Sequence, residues 1–200
     1  MPQPPCHDRR LPSTPVDFYF AAMSPYSWLA AERIDELLPS ARWRPVTAAF
    51  IFKAAGRTSW GLTEQRAGGI ADSERRAEQY GLAPIRWPDP WPTSDVDVAR
   101  AMIWAGHRDA LKAYALAAMR LCFREARVLS EPATLTEAAA RCGLDGDQLL
   151  AAIGDSAIKA ELRAATDAAS ARGVFGVPTF AVGEALLWGD DRLEEAAGMS

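Results

Sequence analysis

Hydrophobic and polar positions near the start of the chain change their period at Ser24. The segment Val16–Phe20 is an apolar run with alternating character, which predicts a β-strand. From Pro25 to about Leu38 the apolar residues recur at helical spacing, which predicts a helix with one face on a sheet. Arg42–Val46 then indicates a second strand, parallel to the first because a helix intervenes. The beginning of the chain is therefore predicted to be a βαβ unit.

The middle of the chain is predominantly helical in pattern. The segment Thr47–Arg66 shows no clean period and is predicted to be a loop with short helical turns. From Ser73 the pattern is helical for about a hundred residues, apart from a proline-rich turn at 84–92. The strongest helix carries a stripe typical of a buried face. Its members are Leu111, Tyr114, Ala115, Ala118, Met119 and Cys122.

The C-terminal part returns to strand patterns. A helix from about Ser156 to Arg172 is predicted to close at Gly173. Two short apolar runs follow, separated by the pair Gly183-Glu184, which predicts a hairpin with a type II′ turn. The acidic residues at 190 and 191 suit the first turn of a last helix.

Composition excludes several classes of function. The chain has 200 residues, 49% of them hydrophobic, and its net charge of −4 is spread over interspersed signs. Without a basic stripe, nucleic acid is not expected as a partner. The apolar runs are too short to span a membrane, and residues 1–15 lack an apolar signal core, so we expect a disordered tail and a cytoplasmic protein. The cysteines, Cys6, Cys122 and Cys142, are odd in number and widely spaced, which favours neither a disulfide framework nor a metal site.

Ser24 is the first candidate for chemistry. Serine is a preferred N-cap residue, Pro25 suits the first helical position, and the unpaired N–H groups of the first turn point toward whatever lies beside Ser24. Such a helix start favours an anion, by roughly 0.3–1 kcal/mol from the helix dipole alone. The alternative is that Ser24 is only a cap, which stabilises the helix by about 1 kcal/mol.

Two groups of residues, one near each end of the chain, together resemble a known family. The sequence resembles 2-hydroxychromene-2-carboxylate isomerases and kappa-class glutathione transferases, from about Val16 to Ala197. The matching segments are Asp17–Phe20, Ser24–Ser27, Phe52-Lys53 with Gly56, Val174–Thr179 and Trp188–Arg192. These families belong to the DsbA-like group of the thioredoxin fold.

The resemblance implies a fold and a division of the chain. It implies an α/β fold of the thioredoxin-like (DsbA) type, with β-α-β and β-β-α halves and a large all-helical insertion. Residues 16–48 and 155–200 would form the thioredoxin-like domain, residues 49–154 the insertion, and residues 1–15 the tail.

The resemblance also implies a glutathione site. Thiol oxidoreductases of this fold carry Cys-x-x-Cys at the helix start, where this chain has Ser24 and Ser27 and cannot form a redox disulfide. Ser24 is instead implied to stabilise the thiolate of bound glutathione, or of another low-molecular-weight thiol, by a charge-assisted hydrogen bond. The backbone of Val177, beside a predicted cis-Pro178, would hold the cysteinyl unit. Pro178 could alternatively only open a strand.

The other implied contacts concern the far end of glutathione and the substrate. The pair Asp190-Asp191 would hold the γ-glutamyl end, although capping charge alone would also explain it. Lys53, Arg57 and Arg66 are candidates for binding a substrate carboxylate, although Lys53 and Arg66 could equally be ordinary solvated residues. The families usually have asparagine where this chain has Arg57, and often Pro-x-Asn where it has 92–94, Pro-Thr-Ser.

Three functions follow as hypotheses. The first is a glutathione-dependent cis–trans isomerase acting on 2-hydroxychromene-2-carboxylate or a similar aromatic intermediate. The second is a kappa-like glutathione transferase, and the third is a non-catalytic binding protein in which Ser24 is only a cap. The resemblance implies a homodimer and a small aromatic substrate. Four tryptophans are expected to line the insertion core or a hydrophobic cleft: Trp60, Trp87, Trp91 and Trp104.

Overall fold

The computed structural model describes residues 14–200. The predicted tail therefore lies outside the described residues except for its last two positions, and so does Cys6. Thr14 and Pro15 are exposed and belong to no helix or strand. The remaining cysteines, Cys122 and Cys142, are free thiols.

Four strands form one mixed sheet in the order β2-β1-β3-β4. They are β1 (Val16–Phe20), β2 (Arg42–Pro45), β3 (Thr179–Val182) and β4 (Ala185–Trp188). Strand β2 runs parallel to β1, as predicted, whereas β3 is antiparallel to β1 and β4 is antiparallel to β3. The sheet therefore joins a β-α-β half to a β-β-α half.

Ten α-helices surround this sheet within residues 14–200. They are α1 (Pro25–Ala31), α2 (Ile34–Leu37), α3 (Ala48–Ala54), α4 (Arg66–Gln79), α5 (Val96–Gly106), α6 (Leu111–Glu125), α7 (Pro132–Arg141), α8 (Gly146–Gly154), α9 (Ser156–Ala171) and α10 (Leu193–Gly198). Two short 3-10 helices lie at Trp60–Leu62 and Asp190–Arg192. Within this part of the chain, no helix has the length and apolar content required to span a membrane.

The prediction that the first helix is continuous is wrong. The segment from Pro25 to Leu38 is divided into α1 and α2 by a turn, in which the Arg33 N–H bonds to the carbonyl of Ala30. Tertiary contacts hold this turn, because the Arg33 guanidinium lies 3.6 Å from the centre of the Tyr80 ring. These contacts come from a distant helix and have no local sequence signal.

The apolar stripe predicted on α6 is buried. Tyr114, Ala118, Met119 and Cys122 have no exposed surface, and Leu111 at the end of the stripe is partly buried. The same core includes Trp28 from α1, so the helical block packs directly on the first half of the sheet.

The two faces of β1 have different surroundings. Phe18 and Phe20 are fully buried, and the Phe18 ring stacks on Phe20 and on Phe180, with ring centres 5.0 and 5.3 Å apart. Asp17, on the other face, accepts hydrogen bonds from three arginines at 2.9 Å. Although burial opposes ionisation, these partners hold the pKa of Asp17 below its usual value. Asp17 is therefore a structural anchor of the sheet.

The hairpin turn agrees with the sequence prediction. Gly183 has a φ of +56°, whereas Glu184 is not among the residues with positive φ. A type II′ turn needs a positive φ only at its first central residue, while a type I′ turn needs it at both.

Candidate functional site

Four chain segments meet at one edge of the sheet because of its register. Phe20 lies opposite Pro45, Tyr19 opposite Thr179, and Thr179 opposite Trp188. The residues that follow β1, β2 and β4 therefore gather beside the residues that precede β3. At this edge lies a cleft of about 720 Å³, lined by residues from segments 23–26, 48–65, 91–95 and 177–191 and by Arg76.

Ser24 lies in this cleft at the start of α1. It has extended backbone angles, and its hydroxyl oxygen accepts a hydrogen bond from the Ser27 N–H at 3.2 Å. Ser27 itself has no exposed surface, and its hydroxyl accepts a bond from the Ala21 N–H at 3.4 Å. Only Ser24 of this pair lines the cleft, and it is partly exposed there.

Val177 and Pro178 lie in the same cleft, and the peptide bond between them is cis, as the sequence predicts. The Pro178 carbonyl accepts a hydrogen bond from the Gly189 N–H at 3.0 Å. The preceding turn is closed by the Thr179 hydroxyl, which donates to the Gly176 carbonyl at 2.7 Å. The segment that lies beside Ser24 is thus held from both sides by backbone-directed hydrogen bonds.

Asp190 and Asp191 have different environments although they are neighbours. The Asp190 side chain is 1% exposed and accepts hydrogen bonds from Arg76 at 3.1 Å and from the Tyr80 hydroxyl at 2.9 Å. Burial raises its pKa in spite of the Arg76 charge. Asp191 is 53% exposed and lies 3.4 Å from the same Arg76. The Asp190 side chain therefore holds the segment 188–191 in place as a wall of the cleft, whereas Asp191 presents its carboxylate to the cleft.

Gly189 fixes the position of Asp191. Its φ is +120°, which favours glycine, and a Cβ atom at this residue would lie 2.3 Å from a carboxylate oxygen of Asp191. Any larger residue at position 189 would therefore have to displace that carboxylate.

Arg76 and Tyr26 belong to the site but were not singled out in the sequence. Arg76, from α4, bonds to Asp72 at 2.9 Å as well as to Asp190. The Tyr26 hydroxyl donates to Asp72 at 2.9 Å, and burial together with this carboxylate raises the pKa of Tyr26 to about 12. Tyr26 is therefore a neutral phenol at physiological pH. In the sequence, the ion pair between Asp72 and Arg76 is indicated only by their spacing of four residues, which suits neighbours on a helix.

The three basic residues considered for substrate binding lie in different places. Arg57 lines the cleft, with its guanidinium 4.6 Å from the centre of the Trp188 ring. Arg66 does not line the cleft, and its guanidinium donates a hydrogen bond to the Trp91 carbonyl at 3.1 Å. Lys53 is exposed on α3 and is not among the cleft-lining residues of the described chain. The cleft therefore contains Arg57 but neither Lys53 nor Arg66.

The four tryptophans divide between cleft and core. Trp60 and Trp91 line the cleft with ring centres 5.2 Å apart, and Trp87 packs behind Trp91 at 4.6 Å. Trp104 is 4% exposed in the helical core. The cleft thus has aromatic walls suited to a planar ligand.

Asp95 is a further acidic residue of the cleft that sequence reasoning missed. Its side chain accepts a hydrogen bond from the Ala48 N–H at 2.7 Å, and the residue is 4% exposed. Burial raises the pKa of Asp95 to about 6. The available signal was an aspartate directly before a helix, which predicts only a cap.

Together these residues can bind an anion and orient a flat, charged molecule. The start of α1 provides a positive dipole end and a hydroxyl, Asp191 provides an exposed carboxylate, and Arg57 provides a cation on an aromatic wall. Within residues 14–200 no group of three or more histidine, cysteine, aspartate or glutamate side chains is placed to hold a metal ion.

Comparison with known proteins finds similarity over nearly the whole chain. The family described as DSBA-like thioredoxin domain matches residues 15–198. A 2-hydroxychromene-2-carboxylate isomerase of Sphingobium xenophagum is 30% identical over 188 residues, covering 90% of this chain and 94% of that protein. Human glutathione S-transferase kappa 1 is 27% identical over 210 residues, covering 92% and 89%. A solved selenomethionine structure of a 2-hydroxychromene-2-carboxylate isomerase superposes with a TM-score of 0.78 at 26% identity, covering 92% and 94%.

Proposed function

The chain belongs to the DSBA-like thioredoxin domain family, among the relatives of 2-hydroxychromene-2-carboxylate isomerase and kappa-class glutathione transferase, and we propose that it is a glutathione-dependent cis–trans isomerase. Relatives named as isomerases, at 27–30% identity, support an isomerase-like enzyme. The proposed substrate is 2-hydroxychromene-2-carboxylate or a similar intermediate of aromatic degradation.

The observation that carries the proposal is the position of Ser24. A partly exposed hydroxyl lies at a helix start, inside an aromatic cleft, where thiol oxidoreductases of this fold would have a cysteine. The Ser24 oxygen accepts from Ser27 within α1, so its own hydrogen can be donated to a thiolate. A charge-assisted bond of this kind is stronger than a neutral one.

The remaining site residues fit a tripeptide thiol with charged ends. The exposed Asp191 carboxylate suits the ammonium of the γ-glutamyl unit, and the backbone N–H groups around Asp190 suit its carboxylate. The buried Asp190 side chain, bonded to Arg76 and Tyr80, keeps this segment in place. The backbone of Val177 would pair with the cysteinyl unit, next to Pro178.

The substrate would occupy the aromatic part of the cleft. Trp60 and Trp91 offer flat apolar surfaces, and Arg57 offers a guanidinium that can bind a carboxylate through two parallel hydrogen bonds. The Trp188 ring, whose centre lies 4.6 Å from the guanidinium, restrains the position of the Arg57 charge in the cleft. This arrangement would orient the substrate relative to Ser24.

Glutathione, if bound here, would supply a thiolate nucleophile for reversible addition to the conjugated double bond, which removes the barrier to rotation. The Ser24 hydroxyl would donate a hydrogen bond to that sulfur and stabilise its negative charge. Tyr26, whose hydroxyl stays protonated and bonded to Asp72, closes one side of the cleft without taking part in proton transfer.

The experiment is an ultraviolet assay of the purified protein with the hydroxychromene substrate. We expect the conversion to the trans isomer to be accelerated only when glutathione is present, whereas cysteine at the same concentration serves as a control for thiol identity. An uncatalysed rate in the presence of glutathione would refute the isomerase function.

A kappa-like transferase is the second candidate, favoured by the similarity to human glutathione S-transferase kappa 1. Mass spectrometry of the reaction separates the two functions, because a transferase leaves a stable glutathione conjugate and an isomerase leaves the substrate mass unchanged. Calorimetry showing no binding of glutathione would refute both functions and support the non-catalytic alternative.

A further inference from the structure

Asp95 is a buried carboxyl group without a cationic partner. Its oxygen accepts from the backbone N–H of Ala48, and no arginine or lysine of residues 14–200 takes part in its hydrogen bonds. The other charged side chains that line the cleft are Arg57, Arg76, Asp190 and Asp191, and Arg76 is engaged by the two aspartates of the wall. An uncompensated carboxyl in such a place is a candidate for proton transfer.

The sheet topology brings the segment that Asp95 contacts next to the start of α1. It bonds to the first N–H of α3, the helix that follows β2, whereas Ser24 caps α1, the helix that follows β1. Strands β1 and β2 are hydrogen-bonded neighbours, and neighbouring strands are about 4.8 Å apart. The two side chains line the same cleft.

The segment that carries Asp95 has unpaired polar atoms. Within the described chain, the Trp91 indole nitrogen and the Thr93 hydroxyl are buried and have no hydrogen-bond partner. Buried polar groups are nearly always paired in folded proteins, and the exceptions need an explanation. Both residues line the cleft, so the wall that precedes Asp95 has polar groups without partners inside the protein.

We propose that Asp95 accepts the proton that the thiol of glutathione loses when it binds in the cleft. The S–H bond breaks and an O–H bond forms on the Asp95 carboxylate, which leaves a thiolate and a neutral carboxylic acid. The proton stays on Asp95 while the thiolate acts and returns to sulfur when the thiol dissociates. This inference rests on the proposed function, since it names the base that this function needs.

The electrostatics favour this transfer. Ser24 can stabilise a thiolate by donating a hydrogen bond, but a neutral hydroxyl cannot take up the thiol proton. A thiolate and a carboxylate in one enclosed cleft repel each other, and this repulsion raises the proton affinity of the carboxylate further. Protonating Asp95 therefore removes the repulsion and makes the thiolate compatible with its surroundings.

The alternative is that Asp95 only holds the start of α3 through Ala48. Asp95→Asn separates the two roles, because asparagine keeps an oxygen that accepts from Ala48 but cannot take a proton at neutral pH. Asp97→Asn is the matched control, since Asp97 lies in the first turn of the same helix, is 50% exposed and pairs with Arg100.

The test measures protons and thiolate directly. Glutathione binding is followed by calorimetry in buffers of different ionisation enthalpy, which gives the protons released, and by the ultraviolet absorbance of the thiolate. We expect the wild-type protein and Asp97→Asn to form thiolate at neutral pH with almost no release of protons. Asp95→Asn should either release about one proton per thiolate or form no thiolate, and its kcat should fall about a hundredfold.

Two results would overturn the inference: release of one proton per bound glutathione by the wild-type protein, or identical thiolate and proton values for Asp95→Asn and wild type. Failure of the proposed function is distinguishable, because it would show as absent glutathione binding or absent isomerisation in the wild-type protein itself.

Discussion

The hydroxyl oxygen of Ser24 accepts a hydrogen bond from the backbone N–H of Ser27, 3.2 Å away. A hydroxyl that accepts with its oxygen still has its hydrogen to donate, and the Ser24 hydroxyl donates to no group within residues 14–200. Capping α1 and donating to an anion are therefore compatible roles of one side chain, and variants of Ser24 can separate them.

Ser24→Ala removes both roles, and Ser24→Asp removes only one. For alanine we expect kcat/KM to fall about a hundredfold from loss of the donor, and stability to fall by about 1 kcal/mol from loss of the cap. For aspartate we expect near-normal stability, because aspartate is a good cap, but similarly low activity, because its charge repels a thiolate. Urea unfolding and the isomerase assay measure the two effects.

A distant helix start provides the control for Ser24. Asp155 caps α9 by accepting from the Ala157 N–H at 2.6 Å and does not line the cleft. Asp155→Ala should lose comparable stability and keep its activity. An active Ser24→Asp variant would contradict the donor role.

Asp191→Asn should weaken glutathione binding without affecting the fold. The side chain is 53% exposed, so its substitution leaves no buried group unpaired. Loss of the charge facing the γ-glutamyl ammonium should raise the Kd about tenfold, equivalent to about 1.4 kcal/mol. Calorimetry with glutathione measures the change, and an unaltered Kd would place the γ-glutamyl end elsewhere.

Asp190→Ala should instead destabilise the protein. It leaves Arg76 and the Tyr80 hydroxyl without their shared partner, and hydrogen bonds to charged groups contribute about 2 kcal/mol. Urea unfolding should show this loss, with Asp191→Asn as the neighbouring control. Equal stability of the two variants would mean that the buried pairing contributes little.

Arg57→Ala should affect substrate binding more than turnover. We expect the KM for the carboxylate substrate to rise about tenfold, because a cation–carboxylate contact is lost, while kcat changes little. Lys53→Ala is the matched control, since Lys53 is exposed and outside the cleft lining, and should have wild-type kinetics. If Lys53→Ala raised KM and Arg57→Ala did not, the assignment would be reversed.

Asp95 should make stability depend on pH in a defined direction. Its pKa is about 6 in the folded protein, above its ordinary value of 3.8. Between these values the folded state binds more protons than the unfolded state, so the free energy of unfolding falls as pH rises. Relative to Asp95→Asn, the wild-type protein should lose about 3 kcal/mol between about pH 3 and pH 7. Urea unfolding of both proteins across this pH range measures the difference between their free energies of unfolding. A difference that does not change with pH would refute the prediction.

Two parts of the site could be predicted from the sequence because each stands at a recognisable local pattern. Ser24 stands where a strand pattern meets a helix pattern, and the pair Val177-Pro178 directly precedes a strand. Their joining into one cleft followed from the resemblance to a known fold and is explained by the strand register. The parallel first two strands and the II′ hairpin were likewise predictable, because they depend on chain order and turn residues.

The parts that could not be found depend on contacts between distant elements. Asp95 looks like an ordinary helix cap, and only the packing of its segment against α3 reveals that it bonds to Ala48 inside a cleft. Arg76 is one of several arginines on α4, distinguished only by reaching Asp190, 114 residues later. Lys53 and Arg57 are four residues apart, yet a turn at Gly56, with a φ of +65°, lies between them and only Arg57 lines the cleft.

The cleft draws its lining from segments that begin at residue 23 and end at residue 191, so that its walls come from both ends of the fold. A growing chain on the ribosome can complete α1 and the whole helical block before it has any complete cleft. The last wall, with Pro178 and Asp191, is added only when the final hairpin leaves the exit tunnel. The cleft is therefore complete only after residue 191 has been synthesised, and a truncation before residue 177 would remove one of its walls.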